Sequence, residues 1–224
     1  MDTPVRLRKV RAMVEELTRL RSDAENNRDR ILEVAREVFA SDGLAVSMRE
    51  VARRAEVGPA TLYRRFPTKK DLILEAFLSE FRLCRNIVAS GCADPDPWRG
   101  VCSVIEELSE LNARNQGFTE AFMAEYPGTV DLSTHRDDAL RGFTGLAARA
   151  QRQGKLRSDF VVDDLVLFLS ANRGLSTLST EHRVQAARRF AALMIDGLHA
   201  SPTNQALPSS PQLGASSLLQ GRHR

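Results

Sequence analysis

The segment from Ser47 to Leu72 constrains the fold of this chain more than any other part of the sequence. It reads SMREVARRAEVGPATLYRRFPTKKDL and carries the signals of two short helices, a tight turn and the start of a third helix. Ser47 is a favourable N-cap, and Glu50 three residues later predicts a reciprocal capping box. Apolar side chains then recur at helical spacing as far as Ala55. We therefore predict a first short helix that buries one apolar face.

The turn that follows is marked by Gly58 and Pro59. Gly58 tolerates the positive φ of a C′ position, and Pro59 cannot extend a helix but can begin one. The next helix, at residues 59–66, has only Leu62 and Phe66 as core-type residues. A helix this short is marginal by itself, so the rest of the domain must hold it in place. Two short helices joined in this way predict a helix-turn-helix, whose second helix enters the major groove of DNA.

Four consecutive pieces of the sequence resemble the TetR family of transcription regulators. In chain order they are RILEVAREVFASDGL, SMREVARRAEV, GPATLYRRF and PTKKDLI, and the match as a whole covers roughly residues 27–77. In that family a first helix ends near a Gly, a second follows a Ser or Thr cap, and a third carries a Leu-Tyr-x-x-Phe core. A Lys-bearing turn then opens a long fourth helix. The resemblance implies an all-α protein of about nine helices, with an N-terminal three-helix helix-turn-helix DNA-binding domain and a C-terminal helical regulatory and dimerisation domain.

The charge distribution agrees with a DNA-binding N-terminal part. Residues 1–85 hold 18 Lys and Arg against 14 Asp and Glu, whereas residues 86–224 hold 14 against 15. The excess of positive charge favours a phosphate-bearing partner. We expect a basic N-terminal arm, a helix-turn-helix DNA-binding domain, a helical ligand-sensing and dimerisation domain, and a disordered tail rich in Ser, Pro, Gly and Gln, at residues 1–26, 27–75, 76–200 and 201–224. The arm reads equally as a charged helix, as a loose segment that reaches DNA, or as disorder without a function.

Correspondence with the family implies which residues contact DNA. Arg49 and Arg64 correspond to positions beside base edges, where an arginine can donate to guanine O6 and N7. The other groove-facing positions are Pro59, Ala60 and Thr61, and the positions that contact the DNA backbone are Ser47, Tyr63 and Lys69. Backbone contacts orient a protein on DNA without specifying sequence. We expect Arg53 and Arg54 to be solvated or paired with nearby acidic side chains.

Beyond residue 68 the sequence predicts a long fourth helix and then five more. Their expected spans are 69–89, 97–113, 116–125, 132–153, 162–173 and 182–200. By resemblance, the last two helices form a four-helix dimer bundle through Leu165, Leu169, Leu175, Leu178, Phe190, Leu193, Met194 and Leu198. The alternative is that these residues cover the core of their own domain.

The resemblance also implies a ligand pocket between the central helices. The side chains that would line it are Trp98, Phe118, Phe122, Met123, Tyr126 and Phe143. Such a lining has few polar groups and predicts a hydrophobic or aromatic small-molecule effector. Aromatic and Met side chains at helical spacing are also typical of an ordinary core.

The sequence lacks the patterns of an enzyme and of a membrane protein. Its four histidines lie outside any metal-binding or nucleophile–base motif. No apolar run reaches transmembrane length, the charged N-terminus does not read as a signal peptide, and the three cysteines fit a reducing cytosol. We therefore expect a cytoplasmic homodimeric repressor that binds a palindromic operator in double-stranded DNA, with no cofactor, metal or membrane partner. The alternatives are an activator and an effector-independent DNA-binding protein.

Overall fold

The computed structural model describes residues 27–126, 133–175 and 178–210. Within these ranges the chain forms eight α-helices, α1 to α8, and a 3-10 turn between α7 and α8. The helices span residues 27–42, Met48–Arg54, Pro59–Arg65, Lys69–Ala93, Pro97–Glu125, Ser133–Arg152, Val162–Ala171 and Thr180–Leu198, and the 3-10 turn spans Asn172–Leu175. Extended pairing in these ranges is limited to one antiparallel bridge between Leu156 and His199. The predicted all-α fold is confirmed, and none of the described helices is long and apolar enough to cross a bilayer.

Helix α5 is one continuous helix where the sequence predicted two. The expected break fell between residues 113 and 116, a stretch that contains neither Pro nor Gly. The buried face instead continues through Ala113, Phe118 and Phe122, so that packing favours an uninterrupted helix. At its other end α5 begins as predicted, with Pro97 in its first turn and the Asp96 carboxylate accepting hydrogen bonds from the backbone of that turn.

Helix α4 also runs further than predicted, to Ala93, because its last turns cross α5 at two glycines. A Cβ atom added to Gly100 would overlap the carbonyl oxygen of Gly91, and one added to Gly91 would overlap the side chain of Val104. Only glycine allows the two backbones to approach this closely. Gly91 therefore acts as a packing residue inside α4 and does not end the helix.

The side chains pack into two hydrophobic cores that meet along α4 and α5. The first core joins α1 to α4 with the C-terminal third of α5, and its largest members are Phe39, Phe77, Phe118 and Phe122. The rings of Phe39 and Phe118 stack with their centroids 5.8 Å apart, and those of Phe77 and Phe122 stack at 3.7 Å. The second core joins the far end of α4 and the start of α5 to α6, α7 and α8. The core of the N-terminal unit therefore extends past residue 75 and is completed by α5.

The structure describes the chain after α8 as far as residue 210. Arg157, which is buried in the turn between α6 and α7, donates a hydrogen bond to the Gln205 carbonyl oxygen at 2.6 Å. The carboxylate of Asp159 accepts from the backbone N–H of Leu207 at 2.9 Å. Within the tail that the composition predicted to be disordered, residues 201–210 have neither helix nor strand, and these two contacts connect Gln205 and Leu207 to the turn between α6 and α7. The rest of that tail and the basic arm at residues 1–26 lie outside the described residues.

Candidate nucleic-acid interface

Helix α2 begins at the predicted cap, but only half of the predicted capping box forms. The hydroxyl oxygen of Ser47 accepts a hydrogen bond from the backbone N–H of Glu50 at 3.2 Å. The carboxylate of Glu50 is occupied by two arginines of the next turn. It accepts from Arg53 Nε at 2.8 Å and from Arg54 Nε at 2.8 Å. These hydrogen bonds lower the pKa of Glu50 to about 2, so the carboxylate is ionised at neutral pH and offsets both cations.

The left-handed residue of the turn is Glu56, not the glycine that the sequence indicated. Glu56 has φ of 53°, whereas Gly58 is the N-cap of α3 with φ of −64°. The left-handed position comes two residues earlier than predicted, and an ordinary side chain occupies a conformation that favours glycine. Arg30 of α1 supports this turn by donating from Nη2 to the carbonyl oxygen of Ala55 at 2.5 Å.

Helix α3 is held by the two apolar side chains that the sequence identified. Leu62 and Phe66 are fully buried in the first core, which anchors a helix too short to be stable alone. The guanidinium of Arg28, on α1, lies over the Phe66 ring at 5.2 Å from its centroid and pairs with the Glu75 carboxylate of α4 at 2.9 Å. The outer face of α3 then carries Pro59, Ala60, Tyr63 and Arg64, all exposed, with Thr61 half-buried.

The cations around α2 and α3 fall into two groups. Arg53 pairs with Glu50, and Arg54 pairs with both Glu50 and Asp42, which lies at the end of α1. These two arginines are therefore paired with acidic side chains, which is one of the two alternatives that the sequence left open. Five other basic side chains on α2, on α3 and at the start of α4 form no ion pair with any residue that the structure describes. They are Arg49, Arg64, Arg65, Lys69 and Lys70. The unpaired positive charge thus lies on α2, on α3 and at the start of α4.

The start of α4 is fixed next to α3 by a complete capping box. The hydroxyl oxygen of Thr68 accepts from the backbone N–H of Asp71 at 3.1 Å, and the Asp71 carboxylate accepts from the Thr68 N–H at 3.0 Å. This box sets the direction of the first turn of α4, which carries the half-buried Lys69. The exposed side chains predicted to contact DNA therefore come from three elements that the first core holds together.

Sequence reasoning missed the side chains that brace this interface. Arg28 and Arg30 precede the apolar stripe of α1, and Asp42 follows it, so each reads as an ordinary solvated charge. Their partners lie far along the chain, on α4, in the α2–α3 turn and on α2. No local pattern pairs such distant residues, because the pairing depends on how the helices cross.

The six side chains predicted to line a ligand pocket lie in or against the two hydrophobic cores in this conformation. Phe118 and Phe122 belong to the first core, and Met123 and Tyr126 are partly buried against it. Phe143 belongs to the second core, and Trp98 is partly buried against that core. Phe118 and Phe143 are fully buried against neighbours. A cavity of about 10 Å³ lies beside Phe122 and Tyr126, which is no larger than one water molecule. These aromatic residues are core residues in this conformation, the alternative that the sequence left open.

The predicted dimer residues divide in a similar way. Leu165, Leu169 and Leu198 are buried in the second core, and Met194 packs against that core. Leu178 and Phe190 are exposed, and so is Leu193, which at 62% is the most exposed large apolar residue in the part of the chain that the structure describes. Leu167 of α7, which was not predicted, is 47% exposed. We call the four exposed residues Leu167, Leu178, Phe190 and Leu193 the α7–α8 apolar surface.

Comparison with known proteins identifies the two halves of the chain. Residues 31–76 match the family model described as bacterial regulatory proteins, tetR family, and residues 96–200 match the C-terminal domain of SbtR-like transcriptional regulators. The HTH-type transcriptional repressor KstR of Mycobacterium tuberculosis is 31% identical over 163 residues, which are 70% of this chain and 73% of that protein. KstR of Mycolicibacterium smegmatis is 35% identical over 62% of this chain and 71% of its own length.

Solved structures show the same architecture. The TetR transcriptional regulator SCO0520 from Streptomyces coelicolor superposes with a TM-score of 0.65 at 30% identity, covering 78% of this chain and 99% of that one. A TetR regulatory protein from Mycobacterium vanbaalenii superposes with a TM-score of 0.61, also at 30% identity, over 81% and 99% of the two chains. The helix-turn-helix geometry, the match to both halves and the similarity to repressors lead to one conclusion. The chain belongs to the TetR family, and it is a DNA-binding transcriptional regulator of the repressor type and not an enzyme.

Proposed function

We propose that this regulator represses transcription as a homodimer that places α3 of each subunit in successive major grooves of a palindromic operator. The observation that carries the proposal is the group of unpaired cations on α2, α3 and the start of α4. Such cations can replace the counterions of DNA without first giving up a partner within the protein. The two-fold symmetry of a homodimer matches a palindrome whose half-site centres are spaced by about one helical turn, roughly 34–36 Å, or slightly more.

Two exposed arginines are proposed to read bases. Arg49 on α2 and Arg64 on α3 form no ion pair with a described residue, so both guanidinium groups are available to guanine O6 and N7. Pro59 and Ala60 offer only apolar surface at the N-terminal end of α3, which suits the methyl group of thymine. Thr61 faces the same groove and adds one hydroxyl.

Three further side chains are proposed to hold the DNA backbone. Tyr63 is 46% exposed and can present its hydroxyl to a phosphate. The hydroxyl oxygen of Ser47 already accepts from Glu50 N–H, which leaves its hydrogen available to donate to a phosphate oxygen. Lys69 supplies a positive charge at the start of α4. Removing any of these contacts is expected to weaken binding to all sequences alike.

The experiment that tests the proposal begins with selection of bound sequences from a random DNA pool. Arg64→Ala and Arg49→Ala should each cost about 1–3 kcal/mol of affinity for the selected operator and relax the preference at particular bases. Arg53→Ala is the matched control, because the Arg53 charge is offset by Glu50. It should change affinity less and leave base preference intact. Unchanged affinity and unchanged base preference in Arg64→Ala would contradict the assigned groove position.

The α7–α8 apolar surface supports assembly through α7 and α8 of two subunits. Its four large side chains remain exposed after the second core is complete, and a second copy of the chain could cover them. The Phe190 ring packs on Phe168 with centroids 4.8 Å apart, which connects this surface to the second core. A homodimer formed here would fix the distance between the two α3 helices.

The effector is proposed to be a hydrophobic or aromatic small molecule that enters the second core. The support is composition, since this core is built from apolar side chains of α5, α6, α7 and α8. The ligand would act by binding more tightly to a dimer whose α3 helices do not match the operator. A tenfold loss of operator affinity requires about 1.4 kcal/mol of such preference. Apolar compounds that stabilise the protein thermally but never release the operator would contradict this mechanism.

Repression is proposed over activation because the similar curated proteins are repressors. Transcription from a template that carries the selected operator should fall when the protein is added and recover when an effector is present. A rise on addition of the protein would favour the activator alternative. We place this action in the cytoplasm, where a bacterial regulator meets its operator.

A further inference from the structure

A buried cation connects α1 to α4 beneath the helix-turn-helix. Arg36 of α1 is only 6% exposed, and its Nη1 donates a hydrogen bond to the hydroxyl oxygen of Ser79 on α4. The Ser79 hydroxyl in turn donates to the Ala76 carbonyl oxygen at 2.7 Å. Burying a guanidinium is unfavourable unless a nearby negative charge offsets the lost hydration. The buried guanidinium of Arg36 therefore depends on a carboxylate close to it.

That carboxylate belongs to Glu80, which is 7% exposed and faces both α1 and α5. Its two oxygens lie 3.3 and 3.2 Å from the hydroxyl of Thr119 on α5, which donates to the carboxylate, and the charge of Arg36 acts on it from α1. The other charges that act on Arg36 are the exposed Glu33 and Glu37 on α1 and Arg82 on α4. Thus α5 faces Glu80 with a neutral hydroxyl, and α1 faces it with a cation.

Burial makes the charge of Glu80 sensitive to pH near neutrality. Loss of hydration raises its pKa to about 7, against the smaller opposing effects of Thr119 and Arg36. The thiol of Cys84, one helical turn further along α4, has a pKa raised to about 12 by its burial and by Glu80, so it stays neutral. Glu80 is therefore the group at the contact of α1, α4 and α5 whose charge changes near neutral pH.

Glu80 also lies where the two halves of the molecule are joined. Thr119 follows Phe118, whose ring stacks on Phe39 of α1 in the first core. One turn earlier on α5, the buried amide nitrogen of Asn115 has no hydrogen-bond partner among the described residues. An unsatisfied buried donor costs free energy, so the polar groups at this junction are not in an optimal arrangement.

We propose that Glu80, together with Arg36 and Thr119, is a charge-dependent link that fixes the helix-turn-helix unit against the C-terminal helices and thereby sets operator affinity. When Glu80 is ionised, it attracts Arg36 and accepts from Thr119, so α1, α4 and α5 are held together. When Glu80 takes up a proton, Arg36 remains charged without its counter-charge. The Thr119 hydroxyl can then donate to the Asn115 carbonyl oxygen, which lies 3.2 Å away. The link loosens, and α3 loses the placement that the operator requires.

The test uses full-length protein and the selected operator, with affinities measured at pH 6 and pH 8 at constant ionic strength. This inference rests on the proposed function, and a selection that returns no operator would contradict that function, not the link. Glu80→Gln removes the charge and keeps the shape. At pH 8 the wild-type protein should bind the operator about fivefold more tightly than Glu80→Gln, at the low end of measured allosteric couplings. At pH 6, where Glu80 is mostly protonated, the two affinities should converge.

Two further variants make the result specific. Glu106→Gln alters an exposed carboxylate of α5 and should follow the wild-type profile at both pH values. Thr119→Val removes the hydrogen bond that favours ionised Glu80, so its affinity should begin to fall at a higher pH than that of the wild-type protein. A loss of operator affinity in Glu80→Gln that has the same size at both pH values would overturn the link, since replacing a merely structural residue gives that result. A Thr119→Val profile identical to wild type would overturn it as well, even if Glu80→Gln failed to fold.

Discussion

Glu56 and Gly43 are the residues whose backbone conformation matters most around the helix-turn-helix. Both have positive φ, 53° for Glu56 and 79° for Gly43, but only Gly43 is a residue that adopts this region freely. A left-handed conformation costs an ordinary residue roughly 1–2 kcal/mol. The only described partner of the Glu56 side chain is Arg30, at 3.8 Å and mostly exposed, which offsets little of that cost.

Glu56→Gly should therefore stabilise the protein by about 1 kcal/mol, because glycine removes the strain of the turn. Gly43→Ala is the matched control in the opposite direction: a Cβ there would contact nothing within 4 Å, so only the conformational cost remains. It should destabilise by about the same amount. Urea unfolding midpoints of the two variants check both values. A Glu56→Gly variant no more stable than the wild-type protein would mean that the turn is not strained.

The raised pKa of Glu80 has a consequence for stability that is separate from DNA binding. A carboxyl whose pKa is higher in the folded state contributes stability that is complete below its unfolded pKa, near 4.5, and is lost as pH rises through about 7. Raising the pH from 5 to 8 should thus destabilise the wild-type protein relative to Glu80→Gln by up to about 3 kcal/mol.

Denaturant unfolding of both proteins at the two pH values measures this difference. At pH 8 Glu80→Gln should be the more stable protein and yet the weaker operator binder, a combination that simple loss of packing does not produce. Parallel pH dependences of stability would show that Glu80 titrates at an ordinary pKa.

At the scale of helices, the close crossing of α4 and α5 depends on the absence of side chains. Gly100→Ala would force a Cβ into the Gly91 carbonyl oxygen, where the backbone cannot move without separating the helices. We expect a loss of about 1–3 kcal/mol or more. Gly145→Ala on α6 is the control, since nothing lies within 4 Å of its Cβ, and it should gain about 0.5–1 kcal/mol from helix propensity. Thermal unfolding compares them. Equal effects in the two variants would contradict the close crossing.

At the scale of the whole molecule, the proposed function requires that two subunits hold their α3 helices at one distance. Leu193→Glu places a charge on the most exposed large apolar residue of the α7–α8 apolar surface. Because this side chain contributes little to the core of its own subunit, folding should persist while dimerisation and operator binding fall together. Sedimentation and anisotropy with operator DNA measure the two losses. Ala124→Glu, at an exposed position of α5, should leave both unchanged. A wild-type protein that sediments as a monomer at micromolar concentration would rule out this dimer.

The sequence by itself determined the parts of the molecule whose signals are local. Caps at Ser47 and Thr68, a proline at the start of α3 and apolar side chains at helical spacing act within one or two turns, so α2, α3 and the start of α4 could be placed without a structure. The same local signals singled out Leu62 and Phe66 as the residues that anchor the recognition helix. The helical spacing of Leu62 and Phe66 also predicted which side chains of α3 are exposed.

Tertiary structure alone decided which distant residues meet. The stacking of Phe77 on Phe122 follows from how α5 crosses α4, and it places Phe122, one of the expected pocket residues, in the first core. The pairing of Arg54 with Asp42, like that of Arg28 with Glu75, follows from the packing of α1, and it determines which cations remain for DNA. Contacts of this kind depend on interhelical geometry, which many sequences share and no local pattern specifies.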